Sequence, residues 1–176
     1  VTVIDAAGQT NSFTYNSRGQ ILTATNPRGE QIRYSYDGNG YLRSIDGPLP
    51  GNSDQRVFTY DSNGRVQTAT DPDGYALTLE YDFMDRVTRV TYPDSSFESI
   101  TYNRLDPEVF RNRTGKETRF TYDSLRQLVS VQDALGRVTR LDWCGCGGLG
   151  SVTDPLGHTT TWLRDVQGRV TAKIFP

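Results

Sequence analysis

The dipeptide Tyr-Asp or Tyr-Asn recurs at Tyr15, Tyr36, Tyr60, Tyr81, Tyr102 and Tyr122, in steps of 21, 24, 21, 21 and 20 residues. A further step of 21 reaches Trp143 and another reaches Arg164-Asp165, where the aromatic or the acid survives in part. The chain therefore reads as eight copies of one supersecondary unit, each too small to bury its own apolar face and dependent on its neighbours.

A second marker falls between the first. It is Asp-Pro-x-Gly or a relative: Asp5-Ala-Ala-Gly8, Asn26-Pro-Arg-Gly29, Asp71-Pro-Asp-Gly74, Asp133-Ala-Leu-Gly136 and Asp154-Pro-Leu-Gly157, with weaker copies at Tyr92-Pro-Asp-Ser95 and Asn112-Arg-Thr-Gly115. In both markers Asp or Asn stands at i and Gly at i+3, which is the chemistry of a type I turn. The carboxylate accepts a local backbone N–H, and the glycine takes the left-handed conformation that rejoins the strand. The expected turn glycines are Gly19, Gly29, Gly40, Gly64, Gly74, Gly136, Gly157 and Gly168. Between turns lie segments of six or seven residues, such as Arg65 to Thr70 and Tyr75 to Tyr81. These are strand lengths joined by four-residue loops, so one period is one β-hairpin. The fold class is all-β, a sheet of antiparallel hairpin repeats over residues 1–176.

The faces follow from alternation. Phe13, Tyr34, Phe58, Leu79, Ile100, Phe120, Leu141 and Trp162 form one column, and Tyr15, Tyr36, Tyr60, Tyr81, Tyr102, Tyr122 and Trp143 form a second, two residues later. The residues between them, among them Ser35, Glu80, Thr121 and Asp142, are polar. Period-two alternation predicts one wet face and one aromatic face, with the two columns as the repeat core. On the returning strand Ile21, Leu42, Val66, Val87, Leu128, Leu149 and Val170 are followed three residues later by a small or apolar residue such as Ala24, Ile45 or Ala69. A spacing of three breaks the period of two and predicts a bulge there. In the fifth unit Glu108 and Arg111 fall in these places, which marks that hairpin as the distorted one. A single flat layer would leave the aromatics in water, so the sheet is expected to roll into a partial spiral or solenoid.

Charge and composition narrow the function. Nineteen basic against 21 acidic residues leave a net charge of −2, without the positive excess that nucleic-acid binding draws on. No apolar run is long enough to insert in a membrane, and the opening VTVIDAAGQT has neither the basic start nor the apolar centre of a signal peptide. The chain reads as a segment of a larger protein.

Tyr60-Asp61-Ser-Asn-Gly64-Arg65, with Tyr36-Asp37-Gly-Asn-Gly40 beside it and Asp-Pro-x-Gly following, resembles the YD repeats of the Rhs family, shared with teneurins and with shell-forming components of insecticidal toxin complexes. The resemblance covers essentially all of 1–176. It implies a β sheet spiralling into a hollow shell that encloses a polypeptide such as a toxin, or an extracellular scaffold, in secreted or cell-surface proteins, bacterial ones among them. The partners so implied are the remainder of the parent chain or an encapsulated polypeptide, with self-association through open sheet ends. Cargo-releasing relatives end their shell with a longer core motif and autoproteolytic aspartates. Nothing here matches that motif, so no proteolytic role is carried to any residue.

Trp143-Cys-Gly-Cys-Gly-Gly148 replaces a Tyr-Asp-x-x-Gly turn, and His158 is the only histidine. Cys144, Cys146 and His158 are weak metal candidates, with Asp142 as a fourth ligand, because structural zinc sites space their cysteines more widely. A disulfide is a second reading, and a glycine-rich turn with two free thiols fits the slot best. The Asp-rich turns lack the spacing of a calcium loop, and no catalytic signature is present. The leading reading is a non-catalytic structural module without cofactor. The alternative is an extracellular carbohydrate-binding or adhesive module, in which exposed Tyr, Trp and Arg would stack on a glycan.

Overall fold

The computed structural model describes residues 1–176 and consists of strands and turns. No helix is long and apolar enough to cross a membrane. The residues group into two compact units, Val1–Ser96 and Phe97–Pro176.

The first unit holds β1 (Thr2–Ile4), β2 (Thr10–Tyr15), β3 (Ile21–Thr25), β4 (Gln31–Tyr36), β5 (Leu42–Asp46), β6 (Arg56–Tyr60), β7 (Val66–Thr70), β8 (Ala76–Tyr81) and β9 (Val87–Thr91). Each strand pairs antiparallel with the next, so the unit is a meander of four hairpins preceded by one short strand. The step of 24 is explained here. Gly47 to Gln55 replaces the four-residue turn between β5 and β6, closed by the Leu49 amide donating to Asp54 Oδ2 at 3.0 Å.

The second unit holds β10 (Phe97–Asn103), β11 (Asp106–Arg111), β12 (Glu117–Tyr122), β13 (Leu128–Gln132), β14 (Val138–Trp143), β15 (Leu149–Thr153), β16 (Thr159–Arg164) and β17 (Val170–Ile174). It is likewise an antiparallel meander in chain order, of four hairpins.

Every hairpin slips register at the same place. Tyr15 faces Ile21 while Thr14 faces Thr23, so Leu22 is the extra residue. The same slip makes Arg43, Gln67 and Thr88 the extra residues of the next three hairpins. A one-residue bulge on the returning strand is what keeps Ile21 and Ala24, three apart, on the same face as their partners Tyr15 and Phe13.

The fifth hairpin departs from the others, and its assignment by counting needs correction. Asn103 pairs with Asp106 across a two-residue loop, Arg104-Leu105, with Arg104 at φ 56°. The turn is thus shorter, and Pro107 and Phe110 stand opposite Tyr102 and Ile100. The shift returns an apolar residue, Phe110, to the position that equal spacing gave to Arg111.

The turns follow one pattern. At Asp61, Oδ1 accepts the amides of Asn63 and Arg65 at 2.9 and 3.0 Å, the Gly64 amide donates to the Asp61 carbonyl at 3.1 Å, and the Asp61 amide donates to the Arg65 carbonyl at 2.9 Å. Asn16, Asn26 and Asn112 accept through Oδ1 in the same way. Gly19, Gly29, Gly40, Gly64, Gly74, Gly136, Gly157 and Gly168 all have φ between 78° and 93°. Asp85, Ser95 and Arg126 fill the glycine slot in three turns at φ 60°, 64° and 64°, in a region that costs an L residue roughly 1–2 kcal/mol.

Burial departs from the expectation of a dry core. No side chain of the chain is fully buried. Phe13, Tyr34, Tyr36, Phe58, Tyr60, Leu79, Tyr81, Ile100, Tyr102, Phe120, Tyr122, Leu141, Trp143 and Trp162 are half-buried, and Tyr15 is 42% exposed. Each unit is one sheet layer, so a ring is covered by its neighbours along the ladder while its outer side has no second layer against it.

The turn geometry gives a paired prediction. Ser95→Gly is expected to raise stability by about 0.5–1 kcal/mol, the relief of left-handed strain less the added freedom of the unfolded chain. Gly64→Ala is expected to lose more than Gly74→Ala. Both have positive φ, but a Cβ at Gly64 would lie 2.3 Å from the Tyr41 hydroxyl, whereas at Gly74 nothing stands within 4 Å. Urea titrations that rank the two alanine variants equal, or find Ser95→Gly destabilising, would refute this reading of the turns.

Candidate functional site

The bulges open gaps between hairpins, and the second aromatic column closes them. The ladder between β3 and β4 stops at Thr23–Arg33, and beyond it the strands part. Tyr36, three residues further on, reaches across and donates its hydroxyl to the Ile21 carbonyl at 2.9 Å. The β7–β8 ladder ends at Thr68–Thr78, and Tyr81 donates to the Val66 carbonyl at 2.8 Å. Tyr60 does the same to Leu42 at 2.9 Å, across a step lengthened by the Gly47 to Gln55 loop. Where the dipeptide decays the donor is kept: Trp143 Nε1 donates to the Leu128 carbonyl at 2.8 Å, and Arg164 Nη2 to that of Leu149 at 3.0 Å. The acceptor is always the residue opposite the previous hairpin's ring, at the bulge, where strand pairing leaves a carbonyl without a ladder partner.

A second set of links runs along the turns. Arg65 grips its own turn, with Nε 2.8 Å and Nη2 2.7 Å from Asp61 Oδ2, and extends Nη1 to the Asp82 carbonyl and Asp85 Oδ1, each at 2.9 Å. Its guanidinium lies 4.7 Å from the centre of the Tyr81 ring. Gln20 Nε2 reaches the Gly40 carbonyl at 2.8 Å, and the Tyr41 ring stacks on Tyr60 with centroids 4.9 Å apart. Arg86, Arg137 and Arg169 pair with Asp82, Asp133 and Asp165 as Arg65 does with Asp61.

The opposite face is knitted by hydroxyls. Thr14 and Thr23, Ser35 and Ser44, Thr59 and Thr68, and Thr121 and Ser130 bond across the strands.

The fifth hairpin carries a cleft of about 640 Å³, lined by Leu105, Pro107, Phe120 and Tyr122 among others. At its rim Arg126 forks onto Asp106, with Nη2 2.7 Å from Oδ1 and Nε 3.1 Å from Oδ2. The guanidinium holds the Asp106 carboxyl below the usual range, while burial, then the Asp106 charge, pushes the Tyr122 hydroxyl up. A carboxylate so held is a poor proton acceptor near neutral pH.

The free-thiol expectation is overturned: Cys144 and Cys146 form a disulfide, with Cα atoms 5.1 Å apart. The turn retains its backbone pattern, the Cys144 amide donating to the Gly148 carbonyl and the Gly147 amide to the Cys144 carbonyl, both at 2.9 Å. His158 Nδ1 lies 3.0 Å from Asp154 Oδ2, in the place where other turns hold arginine. The two sulfurs and the imidazole are thereby committed elsewhere, and no group of three or more His, Cys, Asp or Glu is placed to hold a metal ion.

With this geometry in view, two stretches of the chain, residues 15–49 and 60–96, match the family described as RHS Repeat. Together the two stretches span less than half of the chain. The Tyr36, Tyr60 and Tyr81 staples all lie within the matched RHS segments. No curated protein matches the chain. Among solved structures, the crystal structure of TcdB2-TccC3-Cdc42 is similar at 18% identity and a TM-score of 0.72, over 95% of this chain and 10% of that one. The Tc holotoxin pore of Photorhabdus luminescens is similar at 18% identity and TM-score 0.71, again over 95% and 10%. TcdB2-TccC3 without its hypervariable C-terminal region follows at 17% and 0.70, with the same coverage. At this identity the likeness is one of fold, and the chain spans about a tenth of the length of the structures it matches.

Staple and turn could have been read jointly from the sequence. A bulge frees a carbonyl, and the next donor in register is the tyrosine of the following repeat.

The turn carboxylates give a pH prediction. Asp61 is held below its ordinary value by the Arg65 amide and guanidinium, and Asp133, Asp165 and Asp106 by the guanidinium of Arg137, Arg169 and Arg126. A lowered folded-state value means stability that is present above the unfolded carboxylate value of about 4 and lost as pH falls through the lower folded values. Thermal midpoints are therefore expected to be flat from neutral pH to about 5 and to fall below about 4. Asp61→Asn, which keeps the backbone acceptor as Asn16 does, is expected to flatten part of that fall. A midpoint that rises on acidification would contradict the assignment.

Proposed function

We propose that residues 1–176 are one run of RHS hairpin repeats that forms a stretch of wall in an encapsulating shell or cell-surface scaffold, with no catalysis of its own. The observation that carries this reading is the staple: the same donor-to-carbonyl link recurs at Tyr36, Tyr60 and Tyr81, and again where tyrosine is replaced by Trp143 or Arg164. Such a link can extend a sheet from one repeat to the next.

The half-exposed aromatic face supports the same reading. A ladder of Phe, Tyr and Leu with one side open is suited to facing another polypeptide, either the continuation of the parent chain or an enclosed one. The fold likeness to TcdB2-TccC3 structures and the RHS match support a place among shell proteins, and with it a secreted or cell-surface setting.

A photo-crosslinking residue at Leu79, on the aromatic face, is expected to capture polypeptide in the full-length protein that contains this segment, and the same residue at Glu80, on the polar face, is expected to capture none. Equal capture from both positions would refute the wall reading. A glycan-array signal abolished by Tyr81→Ala would replace it with the carbohydrate-binding alternative.

A further inference from the structure

We propose that the Cys144–Cys146 turn is a thiol–disulfide exchange site whose reaction partner is a low-molecular-weight thiol of the glutathione class. The turn sits in the slot that elsewhere holds Asp or Asn. There the side-chain Oδ1 accepts the amides two and four residues on, as Asp61 does for Asn63 and Arg65. At Cys144 that acceptor is absent, and a covalent link to the residue two positions on takes its place. The bond is not required for the fold, because Asp or Asn forms the same turn in other repeats, and Tyr92 forms its backbone pattern with neither. Closing so short a loop also removes little entropy from the unfolded chain. A dispensable crosslink at an accessible turn calls for another role.

Accessibility and charge point to exchange. Cys146 is exposed and Cys144 half-buried, and Gly145 between them has no neighbour within 4 Å of where a Cβ would be, so a thiol can approach the Cys146 sulfur. The one hairpin of the ladder stapled by a cation, through Arg164, is the one directly after this turn. Its guanidinium lies against Gly148, 2.6 Å from where a Cβ would stand, and Gly148 is the residue whose carbonyl accepts the Cys144 amide. Other repeats place Tyr or Trp in the staple position and a larger side chain at the residue equivalent to Gly148, such as Arg65 or Tyr41. Here a glycine makes room for a guanidinium against the residue that closes the turn, where it also donates to the Leu149 and Gly168 carbonyls. Asp142 Oδ2 and the Cys144 amide nitrogen both lie 3.6 Å from the Cβ position of Gly150, so a carboxylate borders the turn as well. A cation beside a thiolate stabilises it as a leaving group.

In the reaction the thiolate of the small thiol attacks Cys146 Sγ. A new S–S bond forms to Cys146, the Cys144–Cys146 bond breaks, and the electron pair leaves on Cys144 as a thiolate. A second small-molecule thiolate attacks the mixed disulfide at the sulfur of the first, forming the small-molecule disulfide and releasing the Cys146 thiolate. Two protons from the two small thiols end on the two cysteines. The protein disulfide is reduced, and two thiols are oxidised to one disulfide. The reverse sequence reoxidises the turn.

The test uses the full chain equilibrated in graded mixtures of reduced and oxidised glutathione and read by intact mass after acid quench. Reversible interconversion between the disulfide and dithiol masses is expected, with a single glutathione adduct on Cys146 in the Cys144→Ser variant. A bond that survives excess reduced glutathione, or two free thiols in the air-equilibrated chain, would overturn the proposal. Two variants separate exchange from a structural role. Arg164→Tyr restores the usual staple without the charge, and alkylation of the reduced chain by iodoacetamide near neutral pH is expected to slow several-fold; an unchanged rate would overturn the part assigned to Arg164. Cys144→Asp with Cys146→Ser rewrites the turn in the chain's own Asp-x-x-Gly form and is expected to keep the thermal midpoint, whereas a large fall would mark the bond as a structural staple.

Discussion

The hydrogen bond from a tyrosine hydroxyl to a carbonyl on the preceding hairpin is the interaction on which the repeat depends. A bulge on each returning strand twists the hairpin and frees one carbonyl, and the next hairpin supplies the donor. Without that donor the strands that part beyond Thr23–Arg33 or Thr68–Thr78 would hold an unfilled opening. The bulge and the donor therefore belong to one device. Trp143 and Arg164 illustrate the rule, since both change the side chain and keep an N–H aimed at the same carbonyl.

The Asp of the dipeptide completes the device. Its carboxylate organises the turn that follows the tyrosine, and at Asp61 the paired Arg65 touches the next turn as well, at Asp82 and Asp85. Adjacent hairpins are tied at the bulge and at the tip, with the aromatic ring between. Such ties explain how a chain with no fully buried side chain holds a defined sheet: cohesion is distributed over many half-covered contacts rather than gathered in one core.

Much of this was legible in the residues. The turns were readable because Asp at i and Gly at i+3 have few other uses, and the faces because period two has only one meaning in a strand. The spacing of three between Ile21 and Ala24 disclosed the bulge. The fifth hairpin misled by one residue, since Glu108 and Arg111 follow from equal spacing while the two-residue loop at Arg104-Leu105 moves Pro107 and Phe110 into register. Burial was overstated, because alternation reports which way a side chain points and not whether anything lies against it. The cysteines were misassigned for a similar reason: C-x-C gives spacing, and only the turn geometry brings Cys144 and Cys146 within bonding distance.

The central claim is tested most directly by tyrosine-to-phenylalanine substitution along the ladder, which removes the donor and keeps the ring. Unfolding free energies for Tyr36→Phe, Tyr60→Phe and Tyr81→Phe are predicted to fall by about 1 kcal/mol each, the worth of one hydrogen bond to a partly shielded carbonyl. Tyr34→Phe, in the other column, is predicted to change stability by much less. Losses that are equal at Tyr34 and Tyr36, or absent at all three staple positions, would contradict the account.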